Sequence, residues 1–289
     1  MNWFFIAVAC ALCTACCDSI SKRVMQHTDE WVTGTIILGI SSLLLSPLLF
    51  FIELKPFTLE LGLLLTIALP LEIGGYYLFL SAIKSGPLSL TIPLLAFTPV
   101  LTAISSALLL GEGISASGAL GIVLVTVGAY ILNGDLACQN FLAPIKALVS
   151  QTASRKMLMV AVIWSVTSSL GKIGTMLWGA VPFGILLLYG IVPCFGIIAL
   201  IRVQQGLASL QCSPTLLWWF LAGGGIMAGA EITHFISLSQ APVAYMIAVK
   251  RLSLVFGVLM GWLWFGETNI RYRLIGAAIM VTGVFGVYQ

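Results

Sequence analysis

Apolar residues fill this chain in long runs that short polar segments interrupt, and this pattern predicts membrane-spanning helices. A run of about 20 apolar residues is long enough to cross the hydrocarbon core of a bilayer. Glycine, proline and charged residues mark the ends of such runs. The ten runs cover residues 3–25, 31–52, 60–82, 88–110, 115–133, 157–178, 181–201, 215–238, 242–265 and 272–288. We therefore predict an all-α polytopic membrane protein with ten transmembrane helices.

The composition of the chain excludes an ordinary soluble domain. Of its 289 residues, 60% are hydrophobic and only 8% are charged, whereas soluble domains carry about 25% charged residues. So few charges could not cover the surface of a soluble protein of this size. We expect the lipid bilayer to surround the chain, and we expect no nucleic-acid partner.

The segment "ACALCTACCDSISK" (9–22) contains four cysteines, and their spacing raises the question of a metal or iron–sulfur site. Thiolate ligands usually come in sets of four in a polar site, but apolar residues surround these cysteines. On a helix, Cys10, Cys13 and Cys17 share one face. Small residues on one face allow membrane helices to approach closely. We interpret the cysteines as packing residues and predict neither a metal nor a cofactor.

A polar segment at 134–156 divides the predicted spans into two groups of five, and the two groups resemble each other. At an offset of 155 positions, Gly111-Glu112 corresponds to Gly266-Glu267. The same offset pairs further residues: Pro87 with Pro242, Gly121 with Gly276, and Gly128 with Gly283. Nearer the start of each half, an offset of 150 pairs Lys22 with Lys172.

An odd number of spans in each half has a geometric consequence. The second half must begin on the opposite side of the membrane from the first, so the halves are inverted repeats about an axis in the membrane plane. We predict a first repeat over 1–133, a connecting loop over 134–156 and a second repeat over 157–289. Transporters with this plan bind their substrate between the repeats.

The repeat ends resemble a known family. The segments "LLLGEGISASGALGIVLVTVGAYIL" (108–132) and "WLWFGETNIRYRLIGAAIMVTGVFGVY" (262–288) are similar to the repeat ends of EamA-type transporters in the drug/metabolite transporter superfamily. The segment "AIKSGPLSLTIPLLAFTPVLTAI" (82–104) resembles the fourth span of that family. The resemblance implies a multi-pass protein of the plasma (inner) membrane that exports or exchanges a small metabolite by alternating access. It also implies a monomer or homodimer and no enzymatic activity.

Cations within the predicted spans are the first candidates for substrate binding, because each costs about 2.5–3.5 kcal/mol to insert. Lys250 and Arg251 are adjacent and nearly central in the ninth span, and a similar pair handles anionic groups in the related sugar-phosphate branch. The other substrate-binding candidates are Lys22, Lys172, Tyr76 and Tyr245. Four cations against the acids Asp18, Glu72 and Glu231 give a cavity charge of about +1. This balance predicts an organic anion or zwitterion, such as an amino acid or a phosphorylated metabolite.

Acidic residues within the spans are candidates for proton coupling. Glu72 lies on the third span, and Glu231 lies on the eighth at the position equivalent to Tyr76, so both repeats place a carboxyl group on one stripe of equivalent helices. A carboxyl group in an apolar cavity holds its proton more readily than one in water. His234, three residues after Glu231, and Asp18, four residues before Lys22, complete the set. The alternative for each is a structural ion pair or hydrogen bond.

Two questions stay open in the sequence. An intramembrane enzyme, a lipid-handling protein or a non-transporting scaffold are the alternative functions, although an enzyme would be expected to cluster its carboxylates or histidines at one interface. The orientation is also open, because the distribution of basic residues places both termini outside the cytoplasm, whereas the resemblance places them inside.

Overall fold

A computed structural model describes residues 2–85, 92–132, 151–208, 213–265 and 270–288. Within these ranges the chain is helical and contains no strand. Most of the predicted connecting loop lies outside them, as do Pro87 and the Gly266-Glu267 pair.

The first half contains five α-helices in chain order. They are α1 (Trp3–Val24), α2 (Glu30–Leu45), α3 (Leu59–Ser85), α4 (Thr98–Leu110) and α5 (Ala116–Leu132). A 3-10 helix, Ser46–Phe51, extends α2, and another, Ile92–Phe97, precedes α4. Side-chain caps stabilise the N-termini of α1 and α2. The Asn2 side chain accepts a hydrogen bond from the Phe4 amide, and the Asp29 side chain accepts one from the Trp31 amide. Such caps satisfy amides that have no partner within the helix.

The second half repeats this order, with two α-helices in place of the second 3-10 helix and α4. Its helices are α6 (Thr152–Trp178), α7 (Ala180–Gln204), α8 (Pro214–Gln240), α9 (Val243–Lys250), α10 (Leu252–Phe265) and α11 (Ile270–Tyr288). In the described residues, six helices are long and apolar enough to cross a membrane, namely α1, α2 with its 3-10 extension, α3, α6, α7 and α8. Shorter apolar helices cover Leu94–Leu110, Ala116–Leu132 and Ile275–Tyr288. The prediction of a polytopic α-helical membrane protein is confirmed at this level.

The fourth and ninth predicted spans are not single continuous helices, and this corrects the prediction from hydropathy. In the first half, a 3-10 helix ends at Phe97 and α4 begins at Thr98. Pro99, which has no amide hydrogen, fits this first turn of α4. In the second half, α9 ends at Lys250 and α10 begins at Leu252. At the offset of 155 positions, Leu252 corresponds to Phe97, so the two breaks coincide.

The two halves pack through equivalent pairs of helices. Helix α1 packs on α8, and in return α3 packs on α6. The second helices of the two halves, α2 and α7, contact each other, and so do the fifth helices, α5 and α11. Exchange of the halves therefore turns the α1–α8 contact into the α3–α6 contact, and it leaves the α2–α7 and α5–α11 contacts as they are.

Glycines set the closest of these contacts, which we call the α5–α11 seam. A Cβ atom on Gly121 would meet the Gly283 carbonyl oxygen at 2.6 Å, and one on Gly128 would meet the Gly276 carbonyl oxygen at 2.7 Å. Because Gly121 is early in α5 and Gly283 is late in α11, the two helices run antiparallel. These four glycines are the ones that the sequence offset pairs, and only a residue without a side chain allows backbones to approach so closely.

The helix directions define two ends of the bundle. The terminal end contains Asn2 and Tyr288, whose side chains share a hydrogen bond of 2.6 Å from Asn2 Nδ2 to the tyrosine hydroxyl. The opposite end contains two ion pairs at the start of α2. There Arg202 Nη2 lies 2.9 Å from Asp29 Oδ2, and Lys84 Nζ lies 2.9 Å from Glu30 Oε2.

Candidate substrate cavity

A cavity of about 150 Å³ lies between the two halves. Residues of α1, α3 and the 3-10 helix Ile92–Phe97 line it from the first half, and residues of α6 to α10 line it from the second half. Its ionisable lining residues are Asp18, Glu72, Glu231, His234, Lys250 and Arg251. The cavity thus brings together side chains that are far apart in the sequence and that the sequence pattern had singled out.

Helix geometry explains why these side chains face one space. Glu72 and Tyr76 are one turn apart on α3, and Glu231 and His234 are one turn apart on α8. Tyr76 and Glu231 are equivalent at the offset of 155 positions, and both line the cavity. The predicted stripe of equivalent helices therefore faces the cavity from both halves.

Lys250 contacts the imidazole of the cavity. Its Nζ lies 3.3 Å from Nδ1 of His234. Because an ammonium group can only donate, this contact requires Nδ1 to be the acceptor and leaves any ring proton on Nε2. The charge of Lys250 also acts electrostatically on Asp18, Glu72 and Glu231. In the described part of the chain, however, no carboxylate lies within 4.0 Å of Lys250.

Arg251 lies at the break between α9 and α10 and joins the two broken spans. Its side chain is almost fully buried, with 4% of the residue exposed. Arg251 Nη2 donates to the Thr98 hydroxyl at 3.1 Å, and Thr98 is the first residue of α4 at the equivalent break. Arg251 Nε is buried without a hydrogen-bond partner. A buried guanidinium with an unused donor is suited to donate a hydrogen bond to a ligand oxygen.

Three predicted substrate-binding residues, Lys22, Lys172 and Tyr245, do not line this cavity. Lys22 Nζ donates to the Ile83 carbonyl at 2.8 Å. Lys172 Nζ donates to the carbonyls of Leu238 at 2.7 Å and Ala241 at 2.9 Å. Each lysine therefore caps the C-terminal carbonyls of the third long helix in its own half, where a cation is favoured. Ile83 and Leu238 are equivalent at the 155-residue offset.

The third of these residues, Tyr245, contacts the other half of the chain. Its hydroxyl accepts a hydrogen bond from the Ser115 amide at 3.0 Å. Close by, Glu112 Oε2 accepts a hydrogen bond from the Val243 amide at 2.8 Å. In the sequence, Glu112 stands out only as a position that the two halves share, so this contact was not predicted. The Gly-Glu pair at the end of a span was the sequence feature from which a role for Glu112 could have been inferred.

The charge of the cavity differs from the predicted one because the two lysines are outside it. Three carboxyl groups, Asp18, Glu72 and Glu231, now face two cations, Lys250 and Arg251. If all five were ionised, the lining would carry a net charge of −1 rather than +1. Aromatic residues, Tyr76, Phe79, Trp164 and Phe235, supply much of the remaining wall. The lining therefore offers both signs of charge within an aromatic enclosure.

The cysteines of α1 lie in the contact between α1 and α8. Cys10 Sγ donates to the Ala230 carbonyl at 3.5 Å, and Cys17 Sγ lies 3.7 Å from Met227 Sδ. Cys17 also lines the cavity. Among the described residues, no group of three or more His, Cys, Asp or Glu side chains is arranged to hold a metal ion.

Comparison with known proteins gives a family match and a fold match. Residues 1–134 match the EamA-like transporter family, which confirms the resemblance inferred from the sequence. The uncharacterized transporter YwfM of Bacillus subtilis (strain 168) is 28% identical over 116 residues. That alignment covers 39% of this chain and 39% of the relative, so the chain spans about two fifths of that relative's length.

One solved structure matches nearly the whole chain. It is described as "Crystal structure of protein" and superposes with a TM-score of 0.79, covering 99% of this chain and 98% of its own. The two sequences are 15% identical, so the likeness shows the fold alone. The likeness extends over both halves, whereas the family match covers the first.

Proposed function

We propose, from the premise that this chain is a membrane transporter of the EamA-like kind, that it is a secondary transporter of a small organic metabolite. It acts as an exporter or exchanger and works by alternating access. The observation that carries this proposal is the central cavity, because ionisable side chains from both halves meet there. Such groups are costly within a membrane, and they usually mark a path for a substrate or an ion.

The proposal includes ten spans arranged as two inverted repeats, over 1–133 and 157–289, with the connecting loop 134–156. Three sets of contacts support it. The fifth helices pack antiparallel through equivalent glycines, the fourth spans break at equivalent positions, and equivalent lysines cap equivalent carbonyls. Rocking of one half against the other would expose the cavity to each side of the membrane in turn.

The substrate proposed is a small zwitterion or organic anion. Arg251 lines the cavity and its Nε donor has no partner, and its planar guanidinium favours contacts with a carboxylate or phosphate. The three carboxyl groups favour a substrate that also carries a cationic group, which makes a zwitterion such as an amino acid a better fit than a purely anionic metabolite. A cavity of about this volume in another protein holds one benzene molecule, so the substrate is small.

Coupling to protons is the second part of the proposal. Glu231 and Glu72 face the cavity from equivalent helices, and the three carboxyl groups outnumber the two cations. When no substrate cation is present, protonation of at least one of these carboxyl groups is energetically favourable, since an uncompensated carboxylate in an apolar cavity is costly. We assign this role first to Glu231, with His234 one turn away on the same helix.

Uptake into vesicles tests the transport proposal directly. Purified protein is screened against amino acids, phosphorylated metabolites and lipophilic cations for a rise in melting temperature, because a ligand that binds only the folded state stabilises it. The strongest stabiliser is then used as the radiolabelled substrate in proteoliposomes, with and without a proton gradient. We expect a zwitterion or anion to be transported. Stabilisation by lipophilic cations alone, with no uptake of the other classes, would contradict the proposed substrate class.

The Glu231→Gln variant tests proton coupling separately. The amide keeps the shape of the side chain but cannot exchange a proton, so we expect gradient-driven uptake to be lost while substrate counterflow continues. Glu30→Gln is the matched control, because Glu30 lies in an ion pair at the opposite end of the bundle. If gradient-driven uptake persists in both Glu231→Gln and Glu72→Gln, neither residue carries the coupled proton.

A further inference from the structure

We propose that Glu112 and Tyr245 form a latch that closes the cavity at the terminal end, and that this end opens when the two contacts break. This inference rests on the proposed alternating-access function. It goes beyond that function by naming the side chains that separate the cavity from one side of the membrane.

The first contact of the latch joins a carboxylate of one half to a helix start of the other. Glu112 follows α4 in the first half, and its Oε2 accepts a hydrogen bond of 2.8 Å from the amide of Val243. Val243 is the first residue of α9, where amides have no partner within the helix and negative charge is favoured. The bond therefore stabilises the start of α9 only while the two halves are together.

The second contact lies two residues further along α9. The Tyr245 hydroxyl is 3.0 Å from the amide of Ser115 and 3.0 Å from its Oγ. The phenol ring fits there because residue 118 is glycine, and a Cβ atom at that position would overlap the Tyr245 hydroxyl. Both contacts of the latch thus cross from the segment after α4 to the first turn of α9.

A third contact holds the same turn from within its own half. Lys172 Nζ donates to the carbonyls of Leu238, Ser239 and Ala241, and all four residues belong to the second half. If the second half moves as a body, the Lys172 contacts persist and the Glu112 and Tyr245 contacts break. This difference separates a latch from a general structural clamp.

The latch is directly connected to the cavity. Helix α9 begins at Val243, which Glu112 holds, and ends at Lys250, which lines the cavity. Its eight residues span about 11 Å at 1.5 Å per residue. Movement of the held end of so short a helix displaces Lys250 as well, so opening of the terminal end and a change at the substrate site occur together.

Alkylation of one cysteine tests the latch. Cys17 lines the cavity and only 5% of it is exposed, so a full-length variant with Cys17 as its sole cysteine reports access to the cavity. The protein is placed in proteoliposomes, and cleavage of a C-terminal tag identifies vesicles whose terminal end faces outward. A membrane-impermeant maleimide is then added outside, and the rate of alkylation is measured for each vesicle orientation.

Three variants remove the latch in different ways: Glu112→Ala, Tyr245→Phe and Gly118→Ala. We expect Glu112→Ala to raise the rate of alkylation from the terminal end by about 10- to 150-fold, as for the loss of one charge-assisted hydrogen bond. We expect the other two to raise it in the same direction. The rate from the opposite end should stay the same or fall. The matched control is Ser239→Ala, which removes a hydrogen bond to the Ile236 carbonyl within one half and should leave the ratio of the two rates unchanged.

The results that overturn the latch are distinct from those that overturn the transport function. An unchanged rate at the terminal end in all three variants overturns the latch, and so does an equal rise from both ends, which would indicate general loosening. A Ser239→Ala variant that matches Glu112→Ala in side preference also overturns it. Because alkylation needs no substrate, a wild-type protein that fails to transport overturns the proposed function whatever the alkylation rates are.

Discussion

Lys250 and Arg251 are adjacent in the sequence but have different surroundings. Lys250 contacts His234. Its charge also acts on the carboxyl groups of Asp18, Glu72 and Glu231, although none of the three forms an ion pair with it. Arg251 is fixed by Thr98 across the break in the fourth spans. We infer that Lys250 balances the charge of the cavity, whereas Arg251 presents an unused donor to the substrate.

Replacement of either cation by alanine should weaken substrate binding without preventing membrane insertion. Loss of one charge-assisted contact costs about 1.5–3 kcal/mol, or roughly 10- to 150-fold in affinity. Substrate-dependent thermal stabilisation of purified Lys250→Ala and Arg251→Ala measures this change. Lys84→Ala is the control, since Lys84 pairs with Glu30 at the opposite end of the bundle and should bind substrate normally. Normal affinity in both cavity variants would mean that the pair is structural.

Sequence reasoning identified the acidic residues of the cavity but not the roles of all the cations. Asp18, Glu72, Glu231 and His234 were predictable because a carboxyl or imidazole group on a short side chain must face a polar space near its own backbone. Lys22 and Lys172 lie outside the cavity, which the sequence could not show, because a lysine has a long flexible stem and its position in a span does not fix where the ammonium lies. Both ammonium groups reach the end of a neighbouring helix instead.

At the scale of elements, the interrupted spans could not be read from hydropathy. The run 242–265 is continuously apolar around Lys250 and Arg251, and it contains no proline or glycine at the break. At the break, the Arg251 amide is shared between the carbonyls of Ile247 and Ala248, each at 3.2 Å, and the Arg251 side chain makes a tertiary contact with Thr98. The glycines of α5 and α11 could be paired from the sequence, because equivalent positions of the two halves keep the same offset.

The α5–α11 seam gives a prediction for single methyl groups. Gly128→Ala places a Cβ atom against the Gly276 carbonyl and the Met280 amide, each closer than 3.0 Å. Overpacking of this kind usually costs about 1–3 kcal/mol, so we expect a lower melting temperature in detergent. Gly74→Ala on α3 is the matched control, since its Cβ would have nothing within 4 Å, and it should be neutral or slightly stabilising. Equal melting temperatures for the two variants would contradict the close packing of the seam.

At the scale of the whole molecule, the two halves form an extensive interface. Helix α1 packs on α8 and α3 packs on α6, while α2 packs on α7 and α5 on α11. Most of the long helices thus have their main partner in the other half rather than in their own. The site depends on this arrangement, because its ionisable residues come from both halves.

Coexpression of the halves tests how far this interface alone can assemble the protein. We expect fragments 1–133 and 151–289, coexpressed without a covalent link, to copurify, because the contacts between them are mainly between helices that each fragment contains. Introduction of Gly128→Ala into the first fragment should reduce the yield of the complex, and Gly74→Ala should not. Recovery of the two fragments only as separate species would mean that the link between them is needed for assembly.

The α5–α11 seam also has a consequence for the origin of the chain. Gly121 contacts Gly283, and exchange of the halves turns this pair into Gly276 and Gly128, which is the other contact that the structure contains. The seam is therefore isologous in form, since each half presents the surface that it accepts. Two copies of a single ancestral five-helix polypeptide, inserted in opposite orientations, would form the same seam. Fusion of two gene copies would then fix the stoichiometry and leave each copy free to diverge, so that one half came to supply Asp18 and Glu72 and the other Lys250 and Arg251.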